Sequence, residues 1–237
     1  YYTNAEQLIN DPDVDVIYIA TPPQSHAELT IRALQARKPV YVEKPMGMNY
    51  NECLRMNQAA KENNQKLWVA YYRRSLPYFL KVKELLDQKE IGDIQVVKTL
   101  CLRPPLPADV NENIYTWRTN KEIAGGGYFF DMASHTIDIL MFLLGNIKKA
   151  GGVVSNVAHL YNVEDVVSAS FLFDSGIVGS SVWNYVSSGH AATDEIEIIG
   201  SKGSIRFSTF DFSDILLKTA DKTQSFHFER PVHIQQH

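Results

Sequence analysis

The fold is decided by the stretch VYVEKPMG, residues 40–47. Its β-branched and aromatic residues predict a strand from Val40 to Glu43. The strand ends abruptly in a carboxylate, an ammonium and a proline, at Glu43-Lys44-Pro45. Charged groups at the carboxyl end of a buried strand are typical of an open parallel sheet, because ligands bind outside those ends.

Strands and helices alternate on both sides of this stretch. The sequence predicts strands over 14–20 and 66–71 and helices over 25–36 and 50–63. The first strand has apolar residues at both alternating positions from Val16 to Ala20, which is typical of a strand buried on both faces. Ser25 and Glu28 have the spacing of a capping box. The alternation predicts a doubly wound parallel α/β sheet.

The pattern changes after Tyr71. The sequence predicts helices over 77–88 and 128–144, a strand over 94–102, a loop at RPPLPADVNEN (103–113), and hairpin turns at 174–176 and 201–203. Successive hairpins build antiparallel sheet. We therefore predict a partial Rossmann domain over 1–72, followed over 73–237 by an α+β domain with a large, mostly antiparallel open sheet.

Composition excludes several classes of protein. The chain has 237 residues, 45% of them hydrophobic, and a net charge of −4 with scattered Lys and Arg, so nucleic acid is not a predicted partner. No apolar run approaches the roughly 20 residues that span a membrane. Cys53 and Cys101 have neither metal-type nor redox-type spacing, which favours a reducing compartment, and we predict a cytoplasmic protein.

The strand ends carry the first candidate site residues. Proline disfavours the helical region for the residue before it, so Lys44 is expected to project into a cleft. Glu43 can act as its counter-charge or as a backbone anchor, although Glu-Lys-Pro also occurs in ordinary solvated turns. Thr21 and Pro22 follow the preceding strand. His26 begins the next helix, where a histidine is more often a cap or a packing residue.

A second candidate segment is GGGYFFDMASHTIDIL, residues 125–140. Its three glycines allow close approach of the backbone to another segment or a ligand. Asp131 and His135 are four residues apart, on one face of the predicted helix. The histidine is suited to exchange a proton with a hydroxyl, and the aspartate to orient it or bind a second hydroxyl. The same spacing suits a plain surface pair or half of a metal site; since no third ligand is evident, we predict no metal.

Two aromatic-arginine pairs complete the candidates. Trp117-Arg118 can stack on a planar ring and hold a phosphate or carboxylate. Tyr72-Arg73 follows the predicted strand over 66–71, at the edge that faces ligands. Both kinds of pair also occur at ordinary surfaces.

Taken in order, these segments resemble the Gfo/Idh/MocA oxidoreductase family, the group of glucose-fructose oxidoreductase and inositol dehydrogenase. The resemblance runs from residue 3 to about residue 205 and rests on VDVIYIATPPQSHAE, KPVYVEKPMG, YYRR, WR and GGGYFFDMASHTIDILMFLLG. It implies a Rossmann domain that binds NAD or NADP, and a second domain whose open sheet packs against another subunit, so that the protein is a homo-oligomer.

The resemblance also implies roles for single residues. Lys44 matches the active-site lysine, His135 the histidine that exchanges a proton, and Asp131 the aspartate that hydrogen-bonds substrate. These three form the predicted catalytic set and, with Tyr72 and Arg73, the predicted substrate-binding set. The predicted cofactor-binding residues are Thr21, Pro22, His26, Glu43, Lys44, Trp117 and Arg118.

The implied function is hydride transfer between a nicotinamide cofactor and a secondary alcohol of a sugar, polyol or related compound. Two alternatives stay open: NAD-dependent glycoside hydrolysis, and a non-catalytic sugar-binding or assembly protein. No G-x-G-x-x-G follows a strand here, since Gly125-Gly126-Gly127 lies in the wrong context. We therefore expect the pyrophosphate site upstream of Tyr1, weak cofactor binding by this chain alone, and a missing C-terminal end.

Overall fold

The computed structural model of the chain describes residues 1–111, 114 and 116–232. The chain divides into two compact units, Tyr1–Tyr71 with Thr116–Asp131, and Tyr72–Tyr115 with Met132–His237. Residues 116–131, which the sequence placed in the second domain, therefore cluster with the first. No helix in the described part of the chain combines the length and apolarity needed to cross a membrane.

Helices and strands have the following bounds. The α-helices are α1 (Ala5–Ile9), α2 (His26–Gln35), α3 (Tyr50–Glu62), α4 (Pro77–Asp87), α5 (Pro107–Val110), α6 (Lys121–Ala124) and α7 (Ser134–Leu144). The strands are β1 (Ile17–Ile19), β2 (Val40–Val42), β3 (Leu67–Val69), β4 (Ile94–Leu102), β5 (Ile147–Ser155), β6 (Val166–Phe173), β7 (Val178–Asn184), β8 (Thr193–Gly200), β9 (Gly203–Phe207), β10 (Ile215–Thr219) and β11 (Thr223–Phe226). Short 3-10 turns cover Pro23–Ser25, Tyr72–Ser75 and Gly189–Ala191, and a π-helix covers Phe129–Ala133.

The first unit contains the predicted parallel sheet. Its strands lie in the order β1-β2-β3, and both pairings are parallel. Ile17 and Val40 face the core with Leu34 of α2 and Met56 of α3. The expectation that β1 is buried on both faces is wrong for the described residues, because Tyr18, on the other face, is 49% exposed.

The second unit contains the predicted open sheet. Its eight strands lie in the order β11-β10-β9-β8-β4-β7-β6-β5. Every pairing is antiparallel except that of β4 with β7, which the sequence analysis did not anticipate. The two predicted hairpins are confirmed as the pairs β6–β7 and β8–β9. The opposite faces differ, because Trp183 is fully buried whereas the adjacent Val182 on β7 is 36% exposed.

Local details depart from the sequence expectations at three helices. Ser25 does not cap α2, because it belongs to the preceding 3-10 turn and its hydroxyl donates to Thr21 Oγ1 at 2.8 Å. The predicted helix over 128–144 is instead a π-helix followed by α7. The predicted loop over 103–113 contains α5, and its residues 112 and 113 lie outside the described part of the chain.

Candidate active site

Lys44 follows β2 at the carboxyl end of the parallel sheet. Its side chain is mostly buried, and Nζ donates to Asp131 Oδ1 at 2.5 Å and to the backbone oxygen of Asp131 at 3.3 Å. Both residues belong to the first unit, because the segment 116–131 clusters there. The ion pair places an ammonium beside a carboxylate at the sheet edge where ligands bind in α/β proteins.

The carboxylate of Asp131 contacts a second cation. Arg118 Nε lies 3.3 Å from Asp131 Oδ2, and the guanidinium lies over the Trp117 ring at 4.7 Å from its centroid. The first unit therefore brings together three charged side chains and an indole from two distant parts of the sequence. The guanidinium remains about half exposed, so it retains donors for a bound ligand.

Glu43 anchors the backbone at the same strand end. Its Oε2 accepts the backbone N–H of Lys44 at 3.1 Å, and its Oε1 accepts the hydroxyl proton of Tyr18 at 2.7 Å. Burial and, after it, the hydrogen bond to Glu43 raise the pKa of Tyr18 to about 12. Tyr18 was not among the predicted site residues, although its place between two core residues of β1 was a signal that it faces the other side of the sheet.

His26 and Thr21 lie together at the end of β1. The His26 side chain is fully buried, with Nε2 2.7 Å from the backbone oxygen of Thr21 and Nδ1 2.9 Å from that of Pro45. Pro22, half-buried, precedes the 3-10 turn. Since both ring nitrogens of His26 contact backbone oxygens, its geometry favours holding the two loops over direct cofactor contact; the predicted cofactor-binding roles of these residues stay predictions.

Gly125 shows why the glycine-rich segment is needed. Its φ of +87° belongs to the left-handed region, and an added Cβ would lie 3.0 Å from the Cα and O atoms of Met48. Met48 follows the VYVEKPMG stretch, so glycine permits the close approach that the sequence predicted for this segment. The approach holds the segment that carries Asp131 against the residues after Lys44, within the first unit.

The second unit holds the remaining candidates. His135, in the first turn of α7, is 6% exposed and lies between the rings of Tyr72 and Phe210, each with its centroid 6.0 Å away. The Arg73 guanidinium lies 4.9 Å from the Phe210 centroid and donates to the backbone oxygen of Thr209 at 2.8 Å. Burial lowers the pKa of Arg73. The predicted substrate contacts of Tyr72 and Arg73 therefore involve side chains already packed in this unit, and they stay predictions.

Asp131 and His135 do not share one regular α-helix. Asp131 lies in the π-helical turn, and His135 in the α-helix that follows it. The α-helical spacing that the sequence analysis used therefore does not apply to this pair. π-helical turns occur frequently at functional sites. Among the described residues, no group of three or more His, Cys, Asp and Glu side chains could hold a metal ion.

Known proteins resemble the chain over nearly its whole length. Residues 1–71 match the family model of the oxidoreductase family with an NAD-binding Rossmann fold, and residues 79–206 match that of the Gfo/Idh/MocA C-terminal domain. An oxidoreductase of Formosa agariphila is 41% identical over 99% of this chain and 71% of its own length. Levoglucosan dehydrogenase of Pseudarthrobacter phenanthrenivorans is 30% identical over 85% of this chain and 57% of its own.

A solved structure of levoglucosan dehydrogenase in complex with NADH and levoglucosan has a TM-score of 0.84 and 28% identity, covering 96% of this chain and 64% of that one. The two matched models describe a class of oxidoreductases with an NAD-binding Rossmann fold. The chain belongs to the Gfo/Idh/MocA family. It spans less than two thirds of the levoglucosan dehydrogenase.

Proposed function

We propose that the protein is an NAD(P)-dependent oxidoreductase that transfers a hydride between the nicotinamide and a secondary alcohol of a sugar, polyol or related compound. One observation carries the proposal: the Lys44 ammonium lies at the carboxyl end of β2, held by the carboxylate of Asp131. Two relatives, levoglucosan dehydrogenase and the myo-inositol 2-dehydrogenase of Thermotoga maritima, are named for dehydrogenation of such compounds.

The first unit offers groups that fit the nicotinamide end of the cofactor. Lys44 and Arg118 supply positive charge against one carboxylate, and Trp117 supplies an aromatic ring beside Arg118. An anionic dinucleotide with planar rings matches this set of donors. When bound, the cofactor supplies the hydride acceptor, while the protein supplies geometry and charge.

In the proposed mechanism, the Lys44 ammonium donates to the substrate oxygen and stabilises the negative charge that develops there as the carbon–hydrogen bond breaks. Asp131 holds the ammonium in place and accepts a hydrogen bond from substrate. The family resemblance assigns to the imidazole of His135, in the second unit, the exchange of a proton with a substrate hydroxyl. Packing between two aromatic rings limits the orientations of that imidazole.

Titration with NADH, followed by fluorescence, tests the cofactor site on the intact protein. Arg118→Ala is expected to weaken binding roughly 10–100-fold, because one charge-assisted contact contributes about 1.5–3 kcal/mol. Arg55→Ala, an exposed arginine on α3, is the control and should leave the affinity unchanged. Equal affinities for the wild type and Arg118→Ala would contradict the assignment of Arg118 to the cofactor.

Turnover assays on the same protein separate the candidate functions. Net NADH formation from sugars or polyols, including levoglucosan and myo-inositol, supports the proposal. Release of an aglycone from a glycoside without net NADH supports NAD-dependent hydrolysis instead. Absence of NADH and NADPH binding would favour a non-catalytic scaffold.

We also propose a cytoplasmic location. The two cysteines of the chain are both free, which fits a reducing compartment.

We also propose that the open sheet face mediates homo-oligomerisation. Leu100, Val178 and Val182 are 38%, 49% and 36% exposed on neighbouring strands of that face. An apolar sheet face is stabilised when a partner removes it from water. Val182→Glu is expected to lower the mass of the intact protein in light scattering to that of the monomer, while Leu80→Glu, on α4, leaves it unchanged. A monomeric wild type, or an unchanged mass of Val182→Glu, would contradict this proposal.

A further inference from the structure

His26 joins the ends of two neighbouring strands through its imidazole. Nε2 contacts the backbone oxygen of Thr21, which follows β1, and Nδ1 contacts the backbone oxygen of Pro45, which follows Lys44 after β2. The ring is fully buried, and the two N···O distances of 2.7 and 2.9 Å both lie in the range of normal hydrogen bonds. Both contacts therefore help to hold the two strand ends together in the first unit.

Both partners of the ring are carbonyl oxygens, which only accept hydrogen bonds. A neutral imidazole has one N–H, and its other nitrogen carries a lone pair; only the imidazolium donates from both nitrogens. We propose that His26 is a positioning residue whose imidazolium form clamps the backbone after β1 to the backbone that carries Lys44. Two charge-assisted hydrogen bonds offset the cost of burying the cation.

The imidazolium has no carboxylate partner among the described residues, because both of its hydrogen bonds go to the backbone. The titratable or charged groups on its own helix, on α3, on α6 and on the turn after β2 are the following: Glu28, Arg32, Glu43, Lys44, Tyr50, Glu52, Cys53, Arg55, Lys61, Glu62, Lys121 and Glu122. Glu43 accepts hydrogen bonds from the Tyr18 hydroxyl and the Lys44 backbone N–H, and Glu52 Oε2 accepts the backbone N–H of Met48. The clamp therefore depends on the charge of His26 itself.

Loss of one ring proton would turn one of the two contacts into a repulsion between lone pairs. Either the Thr21 or the Pro45 carbonyl must then move away, and Lys44 is directly bonded to Pro45. The clamp therefore requires a proton on each of the two ring nitrogens. The effect on catalysis rests on the proposed function, whereas the clamp itself does not.

Two-bond proton–nitrogen NMR correlations of the intact protein test the clamp, because they distinguish an imidazolium from either neutral tautomer. The titration covers about pH 5 to 8, where histidines change charge. We expect His26 to show two protonated nitrogens at the acid end, and the backbone amides of Lys44 and Met46 to shift with the midpoint of the His26 ring. A single ring proton on His26 throughout the range would overturn the proposal. Lys44 and Met46 amide shifts that do not change with the His26 ring would also overturn it.

His26→Gln provides the second arm, since glutamine donates only through its amide nitrogen and does not titrate. The variant should lose the pH-dependent shifts of the Lys44 and Met46 amides, while His190→Gln, at an exposed histidine, retains them. Persistence of the shifts in a folded His26→Gln protein would assign them to another group and overturn the clamp. These readouts need no cofactor, so failure of NADH binding and failure of the clamp remain distinguishable.

Discussion

We expect Lys44→Ala to lower kcat/KM for alcohol oxidation by about 10²–10³-fold in the intact protein, the usual effect of removing one group that stabilises a developing oxyanion. Lys44 is the ammonium that the first unit directs to the carboxyl edge of its sheet. Asp131 retains Arg118 as a partner in the variant, so the first unit should remain folded. The rate of NADH formation with the best substrate of the sugar and polyol panel measures the effect.

Two further variants separate charge from position. Lys44→Arg keeps the positive charge but changes the point at which it acts, so we expect part of the loss. Lys61→Ala removes an exposed lysine of α3 and should leave kcat/KM unchanged. A value of kcat/KM for Lys44→Ala within twofold of the wild type would contradict the assigned role, whatever the affinity for NADH.

The sequence predicted the elements whose residues alternate regularly. The predicted strand over 94–102 has the bounds of β4, and the turns at 174–176 and 201–203 connect antiparallel pairs. Periodicity and turn residues are local signals. They predict a strand correctly when one of its faces is buried and the other is exposed. The parallel pairing of β4 with β7 has no such signal, because it depends on strands about 80 residues apart.

Less of the site than of the fold could be predicted from the sequence, for a physical reason. The contact of Lys44 with Asp131 joins residues 87 positions apart, and only the family resemblance placed both in one site. The partners of His26 are backbone oxygens. Every residue type carries a backbone oxygen, so the sequence gives no signal for these contacts. The π-helix was also missed, because its five residues, Phe129–Ala133, are too few to show a period of their own.

The largest loss of stability is expected from Asp194→Ala in the second unit. The Asp194 side chain is 1% exposed, and its oxygens accept the backbone N–H groups of Thr209, Phe210 and Asp211. Burial raises the pKa of Asp194, against the three N–H donors that favour the carboxylate. Truncation leaves three donors without an acceptor and Arg103 without its buried partner, so we expect a loss of about 3–5 kcal/mol.

Urea unfolding can report this loss for the second unit alone. Trp183 is fully buried there, whereas Trp68 and Trp117 belong to the first unit, so the series is made in a Trp68→Phe, Trp117→Phe background and followed by fluorescence. Asp211→Ala is the matched control: its exposed carboxylate also pairs with Arg103, and such pairs contribute about 0–1 kcal/mol. Asp194→Asn retains one acceptor and should fall between the two. Equal midpoints for Asp194→Ala and Asp211→Ala would show that the turn after β9 is held by its other contacts, because the buried carboxylate would then contribute no more than the exposed one.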